Sequence, residues 1–332
     1  MYKIKRLWLE KDQQAYQQWL ALVTQADLAI DEKVDYTVGI YKEEQLIATG
    51  SYERNILKYL VVEKTYQSEN LLTKIVQELI NHLSEENRRH FFVYTSPGNQ
   101  TFFRALGLKE IIATATILFM EYGTPDFHDY LGMLKKKKKE GTGCAIVMNA
   151  NPFTKGHQYL VECASKKADQ VYLFVLSEDR SELSFDDRLE MVKQGVAHLT
   201  NVTILPTEDY LISSATFPAY FLKDHATEKA TIAQATLDAQ LFKEKIAPIL
   251  AIKSRFVGEE PYSKVTEIYN ETLKKVFGES LSLIIIPRKR IKNEAISATK
   301  VRRALKEADD ETLQAYLPAS TYNYIKNHIQ QR

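Results

Sequence analysis

Two rhythms of apolar and polar positions divide the chain. Up to about residue 130, short apolar runs alternate with stretches of helical period. Tyr36 to Tyr41 and Leu46 to Tyr52 read as strands, and the polar turn from Lys42 to Gln45 between them predicts a hairpin. Ile56 to Val62 is a further apolar strand. From Asn70 to Leu83, residues Leu71, Leu72, Ile75, Val76, Leu79, Ile80 and Leu83 recur at helical spacing. A strand at Phe91 to Thr95, a short helix at Asn99 to Leu106 closed by Gly107, and one final strand over Ile111 to Glu121 complete this part.

Between Gly123 and Gly143 the pattern collapses into Gly-Thr-Pro-Asp, Met133-Leu134 and the five lysines Lys135 to Lys139. Five like charges in a row repel one another and resist packing, so residues 131–142 read as a Lys-rich surface linker between domains at 1–130 and 143–332. A phosphate- or partner-docking patch is the other reading of the lysines. From Cys144 the rhythm becomes strand, helix, strand, helix. Cys144 to Met148 is continuously apolar, as in a strand buried on both faces of a parallel sheet. A helix over His157 to Ala168, a strand over Val171 to Leu176 and a helix over Phe185 to His198 follow. A third strand comes at Val202 to Leu205, then helices from about Pro218 to Ile246. Arg255 to Gly258, Tyr262 to Phe277, Leu283 to Ile286 and Ser297 to Lys306 continue the alternation. It predicts a doubly wound α/β domain with right-handed crossovers.

At 332 residues the chain exceeds one compact core, which agrees with two domains. A formal net charge of +1 gives no global electrostatic case for nucleic acid or an anionic membrane. The two cysteines, Cys144 and Cys163, lie in apolar stretches without metal-ligand or redox spacing, and read as small core residues in a reducing compartment. The N-terminal residues lack a signal-peptide apolar run, and no stretch of about 18 apolar residues is present, so the expected location is cytoplasmic.

Ligands of a doubly wound sheet bind beyond the carboxyl ends of its strands, where strand order reverses. The first strand runs into Asn149-Ala150-Asn151-Pro152-Phe153-Thr154-Lys155-Gly156-His157. Gly156 allows close backbone approach, the helix start offers free N–H groups to phosphate, and His157 in the first turn can donate to an α-phosphate oxygen. By itself the tetrapeptide reads equally as a helix cap followed by a surface histidine. A second junction, Ile296-Ser297-Ala298-Thr299-Lys300-Val301-Arg302, pairs the hydroxyls of Ser297 and Thr299 with cations Lys300 and Arg302 suited to β- and γ-phosphates. No carboxylate cluster designates a protein ligand for a metal.

These two motifs resemble the T-x-G-H and I-S-x-T-x-V-R signatures of the nucleotidyltransferase superfamily. The run from Met148 to Glu162, Ser184-Phe185-Asp186-Asp187-Arg188 and the block from Arg255 to Asn270 are similar to the citrate lyase ligase family. The resemblance implies a GNAT-like α+β domain followed by a Rossmann-like (HUP-type) nucleotidyltransferase domain. It implies an acid–thiol ligase that makes acetyl-adenylate from acetate and ATP, with Mg2+. The acetyl group then passes to the phosphopantetheine-like thiol of the acyl-carrier subunit of the citrate lyase complex. It further implies Thr154, His157 and Lys300 as catalytic, and Asn149, Phe153, Gly156, Arg188, Gly258, Glu260, Ser297, Thr299 and Arg302 as ATP-binding. Arg188 would touch phosphate or adenine, or else pair on its helix; Glu260 would meet ribose hydroxyls or orient a base, or else be a surface carboxylate. Tyr269 and Asn270 read as structural or functional alike.

In the first domain, Asn99 to Leu108 resembles the late helix and strand entry of GNAT acetyltransferases. Active members carry small residues in the loop that cradles the coenzyme A pyrophosphate. Gln67-Ser68-Glu69-Asn70-Leu71-Leu72 lacks them and adds a negative charge, which disfavours an acetyl-coenzyme A site. The carrier or its pantetheine arm is the expected occupant of this domain instead. Two other functions fit parts of the pattern: adenylyl transfer to a phosphate acceptor such as a nicotinamide or pantetheine phosphate, and N-acetyl transfer with a regulatory nucleotide domain.

Overall fold

The computed structural model describes residues 2–30, 33–178, 181–211, 218, 220–222, 227–259, 264–291 and 294–329. They fall into two compact units, Met1–Asp129 with Pro218–Leu237 and Tyr130–Phe217 with Asp238–Arg332.

In the first unit, strands β1 (Tyr2–Arg6), β2 (Tyr36–Lys42), β3 (Gln45–Glu53), β4 (Ile56–Val62), β5 (Phe91–Thr95), β6 (Lys109–Ala113) and β7 (Leu118–Tyr122) make one sheet in the order β1-β2-β3-β4-β5-β7-β6. Every pairing is antiparallel except β4 with β5, which is parallel and limited to Ile56↔Phe92 and Leu57↔Val93. Helix α1 (Gln13–Gln25) starts where the Asp12 carboxylate accepts from the Ala15 N–H, and buries Trp19, Leu22 and Val23. Helix α2 (Leu71–Glu85) lays Leu71, Ile75, Val76, Leu79 and Leu83 on the sheet. It packs so closely that a Cβ on Gly50 of β3 would stand 2.4 Å from Ile75 Cγ2. A short helix α3 (Gln100–Ala105) precedes β6. This mixed sheet with helices laid against it is a GNAT-like α+β fold. The single strand expected over Ile111 to Glu121 is instead a hairpin of β6 and β7. Thr114 turns the chain, its N–H donating to the Ile117 carbonyl at 2.7 Å and its hydroxyl accepting from the Ile117 N–H at 2.9 Å.

The expected connector is partly helix. Helix α4 (Phe127–Lys136) buries Phe127, Tyr130 and Leu134, and the Tyr130 hydroxyl donates to the Pro206 carbonyl at 3.2 Å. Those apolar positions keep helical spacing, a signal that the adjoining lysines obscure. Lys135 to Lys139 are exposed.

The second unit centres on a parallel sheet of β8 (Gly143–Met148), β9 (Gln170–Val175), β10 (Val202–Pro206), β11 (Ile252–Gly258) and β12 (Ser282–Ile286), ordered β10-β9-β8-β11-β12. Strand order therefore reverses between β8 and β11. Alternate residues serve opposite faces. Cys144, Ile146, Met148, Val171, Leu173 and Val175 join one core with α5 (Lys155–Ser165) and α6 (Phe185–Val196). On the other face, Phe174 meets Phe242 at the end of α7 (Thr227–Leu241), and Phe242 meets Phe277 of α8 (Lys264–Phe277). A two-residue hairpin of β13 (Arg290–Ile291) and β14 (Glu294–Ala295) leads into α9 (Ala298–Glu307), followed by α10 (Asp310–Tyr316) and α11 (Ala319–Tyr324). The fold is the doubly wound, Rossmann-like nucleotidyltransferase architecture. No helix among the described residues is long and apolar enough to cross a membrane.

Candidate nucleotide site

The loop after β8 is drawn tight before α5 begins. Ala150 takes a left-handed φ of 52°, the Asn151–Pro152 bond is cis, and Thr154 caps the helix with an extended backbone. Thr154 Oγ1 accepts from the His157 N–H at 3.3 Å, and His157 Nδ1 accepts from the Thr154 N–H at 3.1 Å. This capping box has histidine where glutamate is usual. Because Nδ1 accepts, the ring proton of the neutral imidazole sits on Nε2, the nitrogen that can donate to a ligand. Burial and the nearby Arg288 guanidinium hold the His157 pKa down at about 4, against a weaker opposing hydrogen bond with the Pro152 backbone. His157 is thus a neutral donor at physiological pH. Phe153 stacks on it with centroids 5.9 Å apart, and is itself fully buried. This corrects the expectation that Phe153 lines the nucleotide: it backs the histidine from inside the core. Gly195 of α6, which sequence reasoning missed, makes room for it, since a Cβ there would lie 2.3 Å from the Phe153 ring.

The second junction meets the first. A Cβ on Gly156 would stand 3.5 Å from Ile296, and Arg302 Nη1 donates to the Asn151 carbonyl at 2.8 Å. Arg302 Nη2 donates to Thr299 Oγ1 at 2.9 Å, so the Arg302 fork fixes the start of α9 against the β8–α5 loop. Ser297 is the N-cap residue of α9, yet its side chain makes no capping hydrogen bond. Val301 and Ala304 anchor this helix in the core. Two helix starts therefore meet beyond the carboxyl ends of the strands at the strand-order reversal, an arrangement suited to an anion. Gly258 ends β11, the strand next to β8 across the reversal, and a Cβ added there would meet nothing within 4 Å. Glu260 lies outside the described residues.

Arg188 is a correction. It is fully buried, and its guanidinium donates to the carbonyls of Leu183, Asn149, Leu176 and Glu178 at 3.2, 2.9, 2.7 and 2.6 Å, and to Asn149 Oδ1 at 2.8 Å. It ties together the ends of β8 and β9 instead of reaching phosphate or adenine. Asn149 is exposed and also hydrogen-bonds Ser181 through its amide at 3.0 Å. Lys300 is ion-paired with Glu294 on the surface and lies 3.5 Å from the Tyr316 hydroxyl, and these contacts raise its pKa. Lys155, within the first motif, caps the end of α10 through the Gln314 and Ala315 carbonyls at 2.9 and 2.7 Å. Tyr269 is structural: its hydroxyl donates to Asp238, which also pairs with the buried Arg255 at 2.9 Å. Both cysteines are free, with Cys144 buried. Among the described residues, no cluster of three or more His, Cys, Asp or Glu could hold a metal ion.

In the first unit, a cleft of roughly 970 Å³ opens beside the unpaired ends of β4 and β5, lined by residues such as Leu60, Val62, Tyr94, Ser96 and Phe102. At the turn into α2, Asn70 adopts a left-handed φ of 54°, and Glu69 accepts a hydrogen bond from the Tyr2 hydroxyl.

The parallel sheet in this order, with a capped Thr-x-Gly-His start facing a second helix start, defines a nucleotidyltransferase-type domain. The family model of the citrate lyase ligase C-terminal domain matches residues 143–325. The [citrate (pro-3S)-lyase] ligase of Escherichia coli K12 is 33% identical over 313 residues, 92% of this chain and 88% of that protein. The chain belongs to the citrate lyase ligase family. The ligase of the same name from Klebsiella pneumoniae is 32% identical over 329 residues, 97% of this chain and 96% of its own. Among solved structures, Thermotoga maritima TmcAL bound with alpha-thio ATP aligns with a TM-score of 0.35 at 13% identity, over 57% of this chain and 56% of that one.

Proposed function

We propose that this chain acetylates the thiol prosthetic group of the acyl-carrier subunit of citrate lyase, using acetate and ATP and passing through acetyl-adenylate. The observation that carries the reading is the meeting of Thr154–His157 with Ile296–Arg302 at the sheet's switch point, in a chain of this family. ATP enters as its Mg2+ complex, so the metal arrives with the substrate and neutralises phosphate charge. An acetate oxygen attacks the α-phosphorus, and the bond from that phosphorus to the bridging oxygen breaks, so pyrophosphate leaves with the electron pair. The carrier thiolate, its proton lost to solvent, then attacks the acetyl carbon, and AMP leaves with the electron pair of the bond it gives up.

The residues take roles accordingly. His157 Nε2–H donates to an α-phosphate oxygen, and that bond strengthens as charge accumulates on the oxygen in the transition state. Thr154 holds the imidazole in the donating tautomer. Gly156 and Gly258 let the backbone approach the nucleotide on either side of the crevice, and Asn149 borders it. Ser297 and Thr299 offer hydroxyls, and Arg302 sets α9 where its N–H groups meet phosphate. Lys300 exchanges Glu294 for the β- or γ-phosphate. An exposed pair of this kind is weak and screened by solvent, so the exchange is easy. The cleft of the first unit receives the carrier or its pantetheine arm, and a tight acetyl-coenzyme A complex in calorimetry would contradict that assignment.

Pyrophosphate release with ATP and acetate, with and without holo-carrier, tests the reading. Acetate-dependent ATP–pyrophosphate exchange is expected without carrier, and net turnover only with it. Exchange that needs a nucleotide or pantetheine phosphate in place of acetate would overturn it in favour of phosphate adenylylation.

A further inference from the structure

We infer that Asn151 is a nucleotide-touching residue of this site, whose side-chain oxygen accepts a hydrogen bond from a ribose hydroxyl of ATP. The inference rests on the reading of this site as the place where ATP binds, and not on which acceptor receives the adenylyl group. Asn151 is 8% exposed, and its Oδ1 is buried without a hydrogen-bond donor. A buried acceptor left unmet is costly, and a native fold rarely keeps one unless a ligand or a water supplies the missing donor. The residue stands where the two motifs meet. Its main-chain carbonyl accepts from Arg302 Nη1 of α9 at 2.8 Å, and the backbone of the next residue, Pro152, is hydrogen-bonded to the His157 imidazole. Asn151 is thus tied to the start of α9 and lies one residue from the contact that Pro152 makes with the ring assigned to the α-phosphate.

Donor and acceptor chemistry selects the ligand group. An unmet acceptor needs a donor, and acetate and the phosphate oxygens of ATP only accept at neutral pH. The donors that ATP carries are its two ribose hydroxyls and the adenine amino group. The ribose joins the α-phosphate through a single ester oxygen, whereas the amino group lies at the far end of the base. With the α-phosphate on His157, the ribose is therefore the part that comes beside Asn151. Asparagine also suits the place electrostatically. A carboxylate would accept the same bond but would set a negative charge beside the phosphates, which an amide avoids. In the sequence Asn151 reads only as a turn residue ahead of Pro152, and its unmet oxygen becomes visible only when the fold closes around it.

The test is a binding cycle on the full chain, read by calorimetry without acetate or carrier. Wild type, Asn151→Ala and Asn151→Asp are titrated with the Mg2+ complexes of ATP, 2′-deoxy-ATP, 3′-deoxy-ATP and purine riboside triphosphate, which lacks the amino group. Wild type should bind one of the two deoxy nucleotides about tenfold more weakly than ATP. N151A should bind ATP about tenfold more weakly than wild type does, and should hold ATP and that deoxy nucleotide equally, within about twofold. N151D keeps an acceptor, so it should bind every nucleotide more weakly and still prefer the hydroxyl. Melting temperatures of both variants should stay within about 3 °C of wild type, because the side-chain oxygen makes no bond within the protein. The assignment is overturned if N151A discriminates against both deoxy nucleotides as wild type does, or loses discrimination only against the purine riboside nucleotide. Affinity losses that merely follow the fraction unfolded would also overturn it. If ATP binds but acetate-dependent exchange is absent, the ligase reading fails on its own and the cycle still decides for or against Asn151. A wild type that binds no ATP overturns both.

Discussion

Replacing Arg188 by methionine should destabilise the second unit and leave nucleotide chemistry only indirectly affected. The arginine is fully buried. Two of its hydrogen bonds, to Leu183 and Leu176, are buried, and three, to Asn149 and Glu178, reach the edge of solvent. Methionine fills much of the volume but donates nothing. At the edge, water can replace the lost donor; at Leu176 and Leu183 it cannot reach without opening the loop. An unmet buried acceptor costs about 1–3 kcal/mol, so two such carbonyls and a partial loss at the others give about 4 kcal/mol. For a unit of this size that is a fall in melting temperature of about 8–16 °C. Circular dichroism melts of the full chain, wild type against variant, measure it. A melting point within about 3 °C of wild type, together with a large loss of ATP affinity, would refute the scaffolding role and return Arg188 to the nucleotide.

Further outcomes follow from other positions. His157→Ala should lower exchange about 100-fold while ATP affinity changes little. The depressed pKa of His157 has a stability consequence with a definite sign. The unfolded ring binds a proton below about 6.5 and the folded ring only below about 4, so this contribution is complete above pH 6.5 and is lost as pH falls towards 4. Its ceiling is about 3 kcal/mol, less in practice because the ring is partly solvated, and urea titrations between pH 4 and 7 would show a steeper rise of stability with pH in wild type than in His157→Gln. Gly258→Ala meets open space, so its melt should match wild type while ATP affinity falls about tenfold; equal affinity would show that no ligand approaches there. Gly195→Ala forces a Cβ into Phe153 and should cost about 1–3 kcal/mol. It should also slow exchange by displacing the ring behind His157, so unaltered melting and exchange would count against that coupling.

What was legible in the sequence was whatever repeats at short range. The alternation from Cys144 onward specified the parallel sheet, because a strand buried on both faces must be apolar throughout. The two motifs were legible as helix starts, since Thr154 and Ser297 are residue types that cap. Side-chain destinations were not. Arg188 and Arg288 differ only in surroundings supplied by distant segments, one sealed by four carbonyls and the other stretched between Glu259 and Ile296. Phe153 sits within the motif and so reads as a lining residue, and only Gly195, some forty residues on, reveals the space that buries it. The helix at Phe127–Lys136 had the spacing of a helix but was masked by the charge of its neighbours. The same holds for the strand pair around Thr114, where one hydroxyl turns the chain with no glycine or proline to mark it.

Intact mass spectrometry of the holo-carrier measures directly where the acetyl group goes. After incubation of the full chain with Mg·ATP, acetate and holo-carrier, the carrier should gain the mass of one acetyl group. The gain should be reversed by hydroxylamine, as a thioester requires, with AMP and pyrophosphate formed in equal amounts. A carrier of unchanged mass, or one that gains an adenylyl group instead, would contradict acetyl transfer to the thiol.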